Sequence, residues 1–261
     1  MTIRPELTHK PLVESIFEIR WELTQPAPGV RIDPFYRLLP GRLHDRIQSE
    51  YQAYEQLPTA MLSDDMVPQM VQHRFRKTAG GWPLIQIGPG LMTVNETQNY
   101  VWDDFRQRCE YAVATLWEAY PKSEELRVEA ICLRYLNAVD MDPSKTSAFD
   151  FLRENMGVGA GLPESLFESG SISPLPIGFS SRSRLQCSRP KGNASVQFDT
   201  GLRENRPVLR WETTVISSKE DVPSPLPDSI GKWLHEAHEV IDDCFYALVP
   251  KQFKSSPEPV A

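Results

Sequence analysis

Four of the 261 residues are cysteines, and no two of them stand close together. Cys109, Cys132, Cys187 and Cys244 therefore offer no C-x-x-C pair for zinc or dithiol chemistry. Cys109, Cys132 and Cys244 lie in apolar-patterned segments, where a free thiol behaves as a small hydrophobe. Basic residues are in deficit, 28 Lys and Arg against 35 Asp and Glu, for a formal charge of -7. That balance argues against a broad nucleic-acid-binding face, which needs clustered cations. No run approaches the roughly 18 apolar residues of a membrane span. Met1 to Leu12, with Arg4, Glu6, His9 and Lys10, lacks the apolar centre of a secretory signal. The expectation is a cytoplasmic protein in a reducing setting, without a membrane segment.

Proline, by contrast, is abundant at 23 residues and falls between patterned segments. With 40 % hydrophobic and 24 % charged residues, the chain has ample material for a core without covalent staples. A single domain over 1-254 followed by a disordered tail, 255-261, is expected. Pro11 to Leu23 alternates with period two, placing Val13, Ser15, Phe17, Ile19 and Trp21 on one face and Glu14, Ile16, Glu18, Arg20 and Glu22 on the other. This is a strand with one polar face. Asp33-Pro34 predicts a helix start, running to Tyr54 with a break at Pro40-Gly41. Met70 to Lys77 and Pro83 to Asn95 read as strands, the second bent at Gly88-Pro89-Gly90. Trp102 to Tyr120 is an amphipathic helix with Asp103 and Asp104 in its first turn.

Leu126 to Val139 follows as a largely apolar strand, then a short helix over Phe149 to Met156. Asn155 to Pro176 is unpatterned, and a loop of about twenty residues in a compact domain is usually functional or mobile. Ile177 to Cys187, Ala194 to Thr200 and Pro207 to Ser217 are strands joined by hairpins at Lys191-Gly192-Asn193 and Arg203 to Arg206. The stretch from Ser217 to Pro227 reads as a surface linker. A helix from about Ser229 to Val249 closes the chain, with Leu234, Ala237, His238, Ile241, Cys244, Phe245 and Leu248 in one stripe. Short turns between strands imply antiparallel pairing, and the class is α+β: antiparallel sheet packed on amphipathic helices. Ile19 to Thr24 (IRWELT) and Leu209 to Thr214 (LRWETT) are near copies, so two similar half-units, 11-120 and 126-250, stand against coincidence between two aromatic strands.

Four segments, PLVESIFEIRW, IQIGPGLMTVN followed by W-x-x-F at Trp102 and Phe105, LRYLNAV, and WLHEAHEVIDDCF, occur in this order. Together they resemble a sporadically distributed prokaryotic family of unknown function, over about Pro11 to Phe253. The resemblance implies a bacterial or archaeal protein of one structural unit. It brings no activity, cofactor or site residues, and its patchy distribution hints at mobile or defence-related genes.

The candidate site residues come from charge on strands and from the closing helix. Glu14 and Arg20 share the polar face of the first strand, and Arg134 and Arg210 lie on later strands; Arg182 and Arg184 do too. Strand-borne charges either pair across the sheet or line a cleft that binds a charged small molecule or peptide. His238 and Glu239 lie in the closing helix beside His235 and Glu236. The His spacing there is three, not the four of H-E-x-x-H, and no metal or cofactor is assigned. His238 as a core imidazole implies a cost of ~1–2 kcal/mol on His238→Ala. Gly88-Pro89-Gly90 lacks a phosphate-loop lysine, and no G-x-S-x-G elbow exists. The leading expectation is a non-catalytic module binding an unidentified protein or small-molecule partner, with homo-oligomerisation left open. The alternatives are a hydrolase-type enzyme using His238 with nearby carboxylates, and a nucleic-acid-associated accessory of a defence or mobile-element system using Arg182, Arg184, Arg189 and Lys191.

Overall fold

The computed structural model describes residues 11–97, 99–142, 146–174, 176–250 and 253. The leader and tail expectations, on residues 1–12 and 255–261, lie wholly or almost wholly outside them. The strands, in chain order, are β1 (Leu12–Trp21), β2 (Thr24–Ala27), β3 (Val30–Ile32), β4 (Ala53–Gln56), β5 (His73–Arg76), β6 (Leu84–Gly88), β7 (Leu91–Glu96), β8 (Val128–Asp140), β9 (Ser180–Ser188), β10 (Lys191–Arg203) and β11 (Arg206–Ser218). The helices are α1 (Leu39–Ile47), α2 (Trp102–Ala119), the short α3 (Ala148–Phe151), continued by a wide turn over Leu152–Met156, and α4 (Ile230–Leu248). Nine strands form one sheet in the order β4-β5-β6-β7-β1-β8-β11-β10-β9, every neighbouring pair antiparallel, and β2 and β3 form a separate hairpin. The class is α+β.

Period two decides which side of the sheet carries the core. Ser15, Phe17, Ile19 and Trp21 of β1 are buried, while Glu14, Ile16, Glu18 and Arg20 are half-buried on the opposite face. Register extends the apolar face across the sheet: Phe17 opposes Val94 and Leu133, and Ile19 opposes Met92 and Ile131. Against this face pack Leu39, Leu43 and Ile47 of α1, Phe105, Cys109, Ala112, Val113 and Leu116 of α2, and Trp233, Leu234, Ala237 and Ile241 of α4. A second cluster, with Phe151, Leu152 and Met156 over Val139, Phe198, Leu209 and Trp211, covers the far end. Met156 and Val158, at the start of the unpatterned segment, belong to this packing. The α4 stripe is buried at its first half; Cys244 and Phe245 are only half-buried, so Cys244 is not a core thiol.

Several boundaries differ from the sequence expectation. The helix does not run to Tyr54: it stops at Ile47, and Ala53–Gln56 is the edge strand β4, too short for its alternation to register. Pro40 does not break α1 but sits in its first turn, where a missing N–H costs nothing. Asp33 is no helix cap; its carboxylate accepts from the Trp21 indole at 2.7 Å, the Tyr120 hydroxyl at 2.8 Å and the Phe35 amide at 3.0 Å. Gly88-Pro89-Gly90 is a full reversal between β6 and β7 rather than a bend in one strand. Gly90 has φ +74, and a Cβ on Gly88 would lie 1.8 Å from the Met70 carbonyl oxygen. The β9–β10 turn is Arg189-Pro190, since Lys191, Gly192 and Asn193 are already paired with Ser188, Cys187 and Gln186. At the β10–β11 reversal Glu204 and Asn205 both have positive φ, 51 and 62, as a two-residue hairpin of primed type requires.

The strand order is a near-palindrome about the β1/β8 seam. On each side of it run a first strand, the last strand before a long helix, and then that strand's hairpin partners: β1-β7-β6-β5 with α2, and β8-β11-β10-β9 with α4. The halves 11-120 and 126-250 thus have corresponding topology. The IRWELT and LRWETT copies do not mark it, because β1 corresponds to β8 and β11 to β7.

Two predictions follow from the packing. Leu234 is fully buried, so Leu234→Ala is expected to cost about 2–5 kcal/mol in chemical denaturation. Leu185→Ala, at a side chain 59 % exposed on β9, is expected to change stability by less than about 0.5 kcal/mol. The second concerns pH. His73 lies between Tyr36 and Tyr54, ring centroids 6.2 and 5.8 Å away, with Nδ1 2.7 Å from the Tyr54 hydroxyl. Burial pushes its pKa below the ordinary value, against the opposing pull of Asp64. Its contribution is therefore full above the unfolded value near 6.5 and is lost as pH falls through the lower folded value. Urea midpoints compared at pH 7.5 and pH 5 (about one unit or more either side of that value) are expected to fall less in His73→Phe than in the parent protein.

Candidate functional site

The sheet face opposite the helices carries a nearly continuous ladder of polar side chains. It begins at the β4 edge, where the Arg76 Nε donates to Glu55 at 2.7 Å and the Arg74 Nε donates to Gln86 at 2.6 Å. The Gln86 amide donates to Thr93 and Asn95, both at 3.1 Å, and the Asn95 amide donates to Glu14 at 2.8 Å. Beyond the seam, Arg134 lies 3.4 Å from Glu212, which also accepts from the Thr214 hydroxyl at 2.9 Å. On the last strands Gln197 donates to Asp199 at 3.0 Å, and Arg182 reaches Ser195 at 3.4 Å. Each of these residues shares parity with its cross-strand neighbours, as in the row Glu14–Leu136–Glu212–Gln197–Arg182. The expected Glu–Arg pairs are present.

These pairs are not equivalent to a sealed network. Arg20 Nε is 2.7 Å from Glu18, and Arg134 Nε is 3.4 Å from Glu212, yet neither makes an aligned hydrogen bond and both atoms are buried. Their attraction is Coulombic, at side chains 41 % and 33 % exposed, so each contributes at most about 1 kcal/mol. Cys132, packed between Glu18 and Ile216 in register, has its thiol pushed up to about 12 by burial, partly offset by Arg134. It stays a thiol at neutral pH and is a poor nucleophile.

A cavity of about 400 Å³ opens on this face over β8, β10 and β11. Leu136, Ala138 and Val13 give it an apolar wall, and Gln197, Asp199, Arg203, Arg210 and Glu212 give it polar groups. Its acids are engaged, Glu212 by Arg134 and Thr214 and Asp199 by Gln197. Arg203 and Arg210 make no ion pair with any described residue.

The candidate residues therefore divide. Glu14, Arg20, Arg134 and Arg210 share the open face; Arg210 lines the cavity and Glu14 lies in the row that crosses it. His238 is on the other side of the sheet. Its ring stacks on Trp102, centroids 3.8 Å apart and planes at 12°, and its Nδ1 is 2.9 Å from the Tyr135 hydroxyl, which also contacts the Tyr100 hydroxyl. Burial pushes the Tyr135 hydroxyl far above its ordinary pKa, so this cluster is a packed polar joint. Glu239 points away from it, 3.7 Å from His235 at two exposed side chains. Of the four basic residues considered for nucleic acid, Arg182 and Arg184 lie on the open face, while Arg189 turns toward Glu236 of α4 at 3.5 Å. Glu212, Gln86, Thr93 and Asn95 were not among the sequence candidates. Thr93 and Asn95 stand at alternate positions of IQIGPGLMTVN, and that parity was the available signal; Gln86 has the opposite parity and joins them only through the reversal that pairs it with Thr93.

No protein-family model and no curated protein matches the chain. Among the described residues, no helix is long and apolar enough to cross a membrane.

Removing the joint tests its role. His238→Ala leaves the buried Tyr135 hydroxyl short of a partner and unstacks Trp102, and is expected to cost about 1–3 kcal/mol in urea unfolding. His238→Phe, which keeps a stacked ring, is expected to lose less.

Proposed function

We propose that this protein is a binding module whose open sheet face receives a charged ligand or partner, and that it is not built for catalysis at His238. The observation that supports this reading is the unequal satisfaction of the open face. Carboxylates there are held by neighbours, while the guanidinium groups of Arg203 and Arg210 make no ion pair with any described residue. An arginine with its fork unoccupied is the group best suited to a carboxylate or phosphate. A hydrolase using His238 is less well supported, because its ring is packed flat on Trp102 and bonded to the buried Tyr135 hydroxyl, on the side of the sheet away from the cavity. The resemblance to a sporadically distributed prokaryotic family adds no activity and agrees with either reading.

The test is a thermal-unfolding screen against small anions, cations and zwitterions. A ligand that binds the folded state stabilises it by about 2.7 kcal/mol at a hundredfold excess over Kd. The expected hits lose their effect in Arg182→Met or in the paired variant Arg134→Met/Glu212→Gln and keep it in His238→Phe. Hits that depend on His238 and ignore every open-face change would refute the proposal.

A further inference from the structure

The cavity over β10 and β11 carries a more specific reading, which rests on the open-face proposal. Arg210 is exposed on its strand, yet its side chain leans sideways along the sheet. It lies across β10 above Gly201, where an added Cβ would be 3.3 Å from its Nε and 3.4 Å from its Cζ. The register places Gly201 opposite Val208 and Arg210 opposite Asp199, so Gly201 is Arg210's diagonal neighbour on the same face. A side chain at 201 would press on the guanidinium and make it give by a few tenths of an ångström. Glycine inside a strand is otherwise unfavourable and commonly marks a close approach. β10 is regular here, with unbroken pairing from Asn193 to Arg203, so no bulge accounts for it.

The Arg210 guanidinium borders the same cavity as Arg203, and neither has an acid partner among the described residues. Asp199 lies directly across from Arg210 yet is not within ion-pair distance of it, being bonded to Gln197 at 3.0 Å. The apolar side chains of Leu136 and Ala138 line the same cavity from β8, Ala138 next to Arg210 in register. A volume of about 400 Å³ lies within the range of small-molecule sites, roughly 300–1,000 Å³. We infer that this cavity binds a small organic anion, a carboxylate or phosphate monoester on a compact apolar body, with Arg210 and Arg203 holding the anionic head and Leu136 and Ala138 facing the body. The glycine at 201 is then a positioning residue that acts through Arg210.

Benzoate and phenyl phosphate are the probes, titrated calorimetrically into the full chain at low ionic strength, with inorganic phosphate as the headgroup alone. At least one aromatic anion is expected to bind in the millimolar range or tighter, and more tightly than inorganic phosphate. Preference between the two identifies the head as carboxylate or phosphate. Arg210→Met and Arg203→Met are each expected to weaken it by about tenfold or more, the scale of a lost hydrogen bond to a charged group. Gly201→Ala is the decisive variant. It adds a methyl at a half-buried strand position whose three nearest neighbours are atoms of the flexible Arg210 side chain, so the fold is expected to keep its stability, while the guanidinium has to shift and affinity is expected to fall. Absence of binding by either aromatic anion would overturn the inference. So would binding that Arg210→Met, Arg203→Met and Gly201→Ala all leave unchanged; a loss confined to the Arg134 or Arg182 variants would then keep the open-face proposal and discard only this cavity.

Discussion

A sheet of nine strands with helices on one side has to satisfy the polar groups of its other side without a second layer. Everything that distinguishes this molecule depends on how that is done. On the helix side the solution is burial: Phe17, Ile19, Val94, Leu133 and Val215 are sealed by α1, α2 and α4. On the other side many polar side chains bond laterally to a neighbour on the same face, from the Arg76–Glu55 pair near one edge to Arg182 at the other. Such pairs contribute only a few tenths of a kcal/mol each. They stabilise the fold little, but they keep carboxylates and amides occupied, and the cations without partners become the conspicuous feature of the surface.

Much of this was legible in the chain because parity and helical period are local. The alternation of Pro11 to Leu23 identified β1 and both its faces, and the apolar steps from Trp102 to Tyr120 identified α2. What was not legible was whatever depends on a partner. Four residues of β4 cannot show an alternation, and they are a strand because β5 offers an edge. Pro40 looks like a breaker until the helix is seen to start one residue before it. Gly88-Pro89-Gly90 reverses the chain because the Met70 backbone and Leu23 crowd the two glycines, and nothing within that tripeptide announces those neighbours.

The near copies of IRWELT and LRWETT fall on strands that do not correspond in the sheet order. Both strands neighbour β8, and both put a tryptophan on the helix face, Trp21 and Trp211. That shared environment, an apolar-in and charge-out strand beside the central seam, is what the two copies have in common. The correspondence of the halves lies elsewhere, in the repeated sequence of first strand, hairpins and long helix on either side of the β1/β8 contact. The segments PLVESIFEIRW, IQIGPGLMTVN and LRYLNAV fall on β1, β6 with β7, and β8, which are consecutive in the sheet.

The same parity separates the two groups of candidate site residues. Arg134 and Tyr135 are consecutive in β8, so they point to opposite faces. Tyr135 is the residue that His238 bonds, and Arg134 is the residue that Glu212 accompanies. For His238 to share a cavity with Arg134, β8 would have to slip by one residue, which would turn Ile131 and Leu133 out of the core. The sheet is thus an insulator between a helix-side joint made of rings and hydroxyls and an open face made of arginines and carboxylates. Chemistry that needs a histidine and an arginine together has no place to occur between them, whereas recognition of an anion needs only the open face and the space beside Gly201.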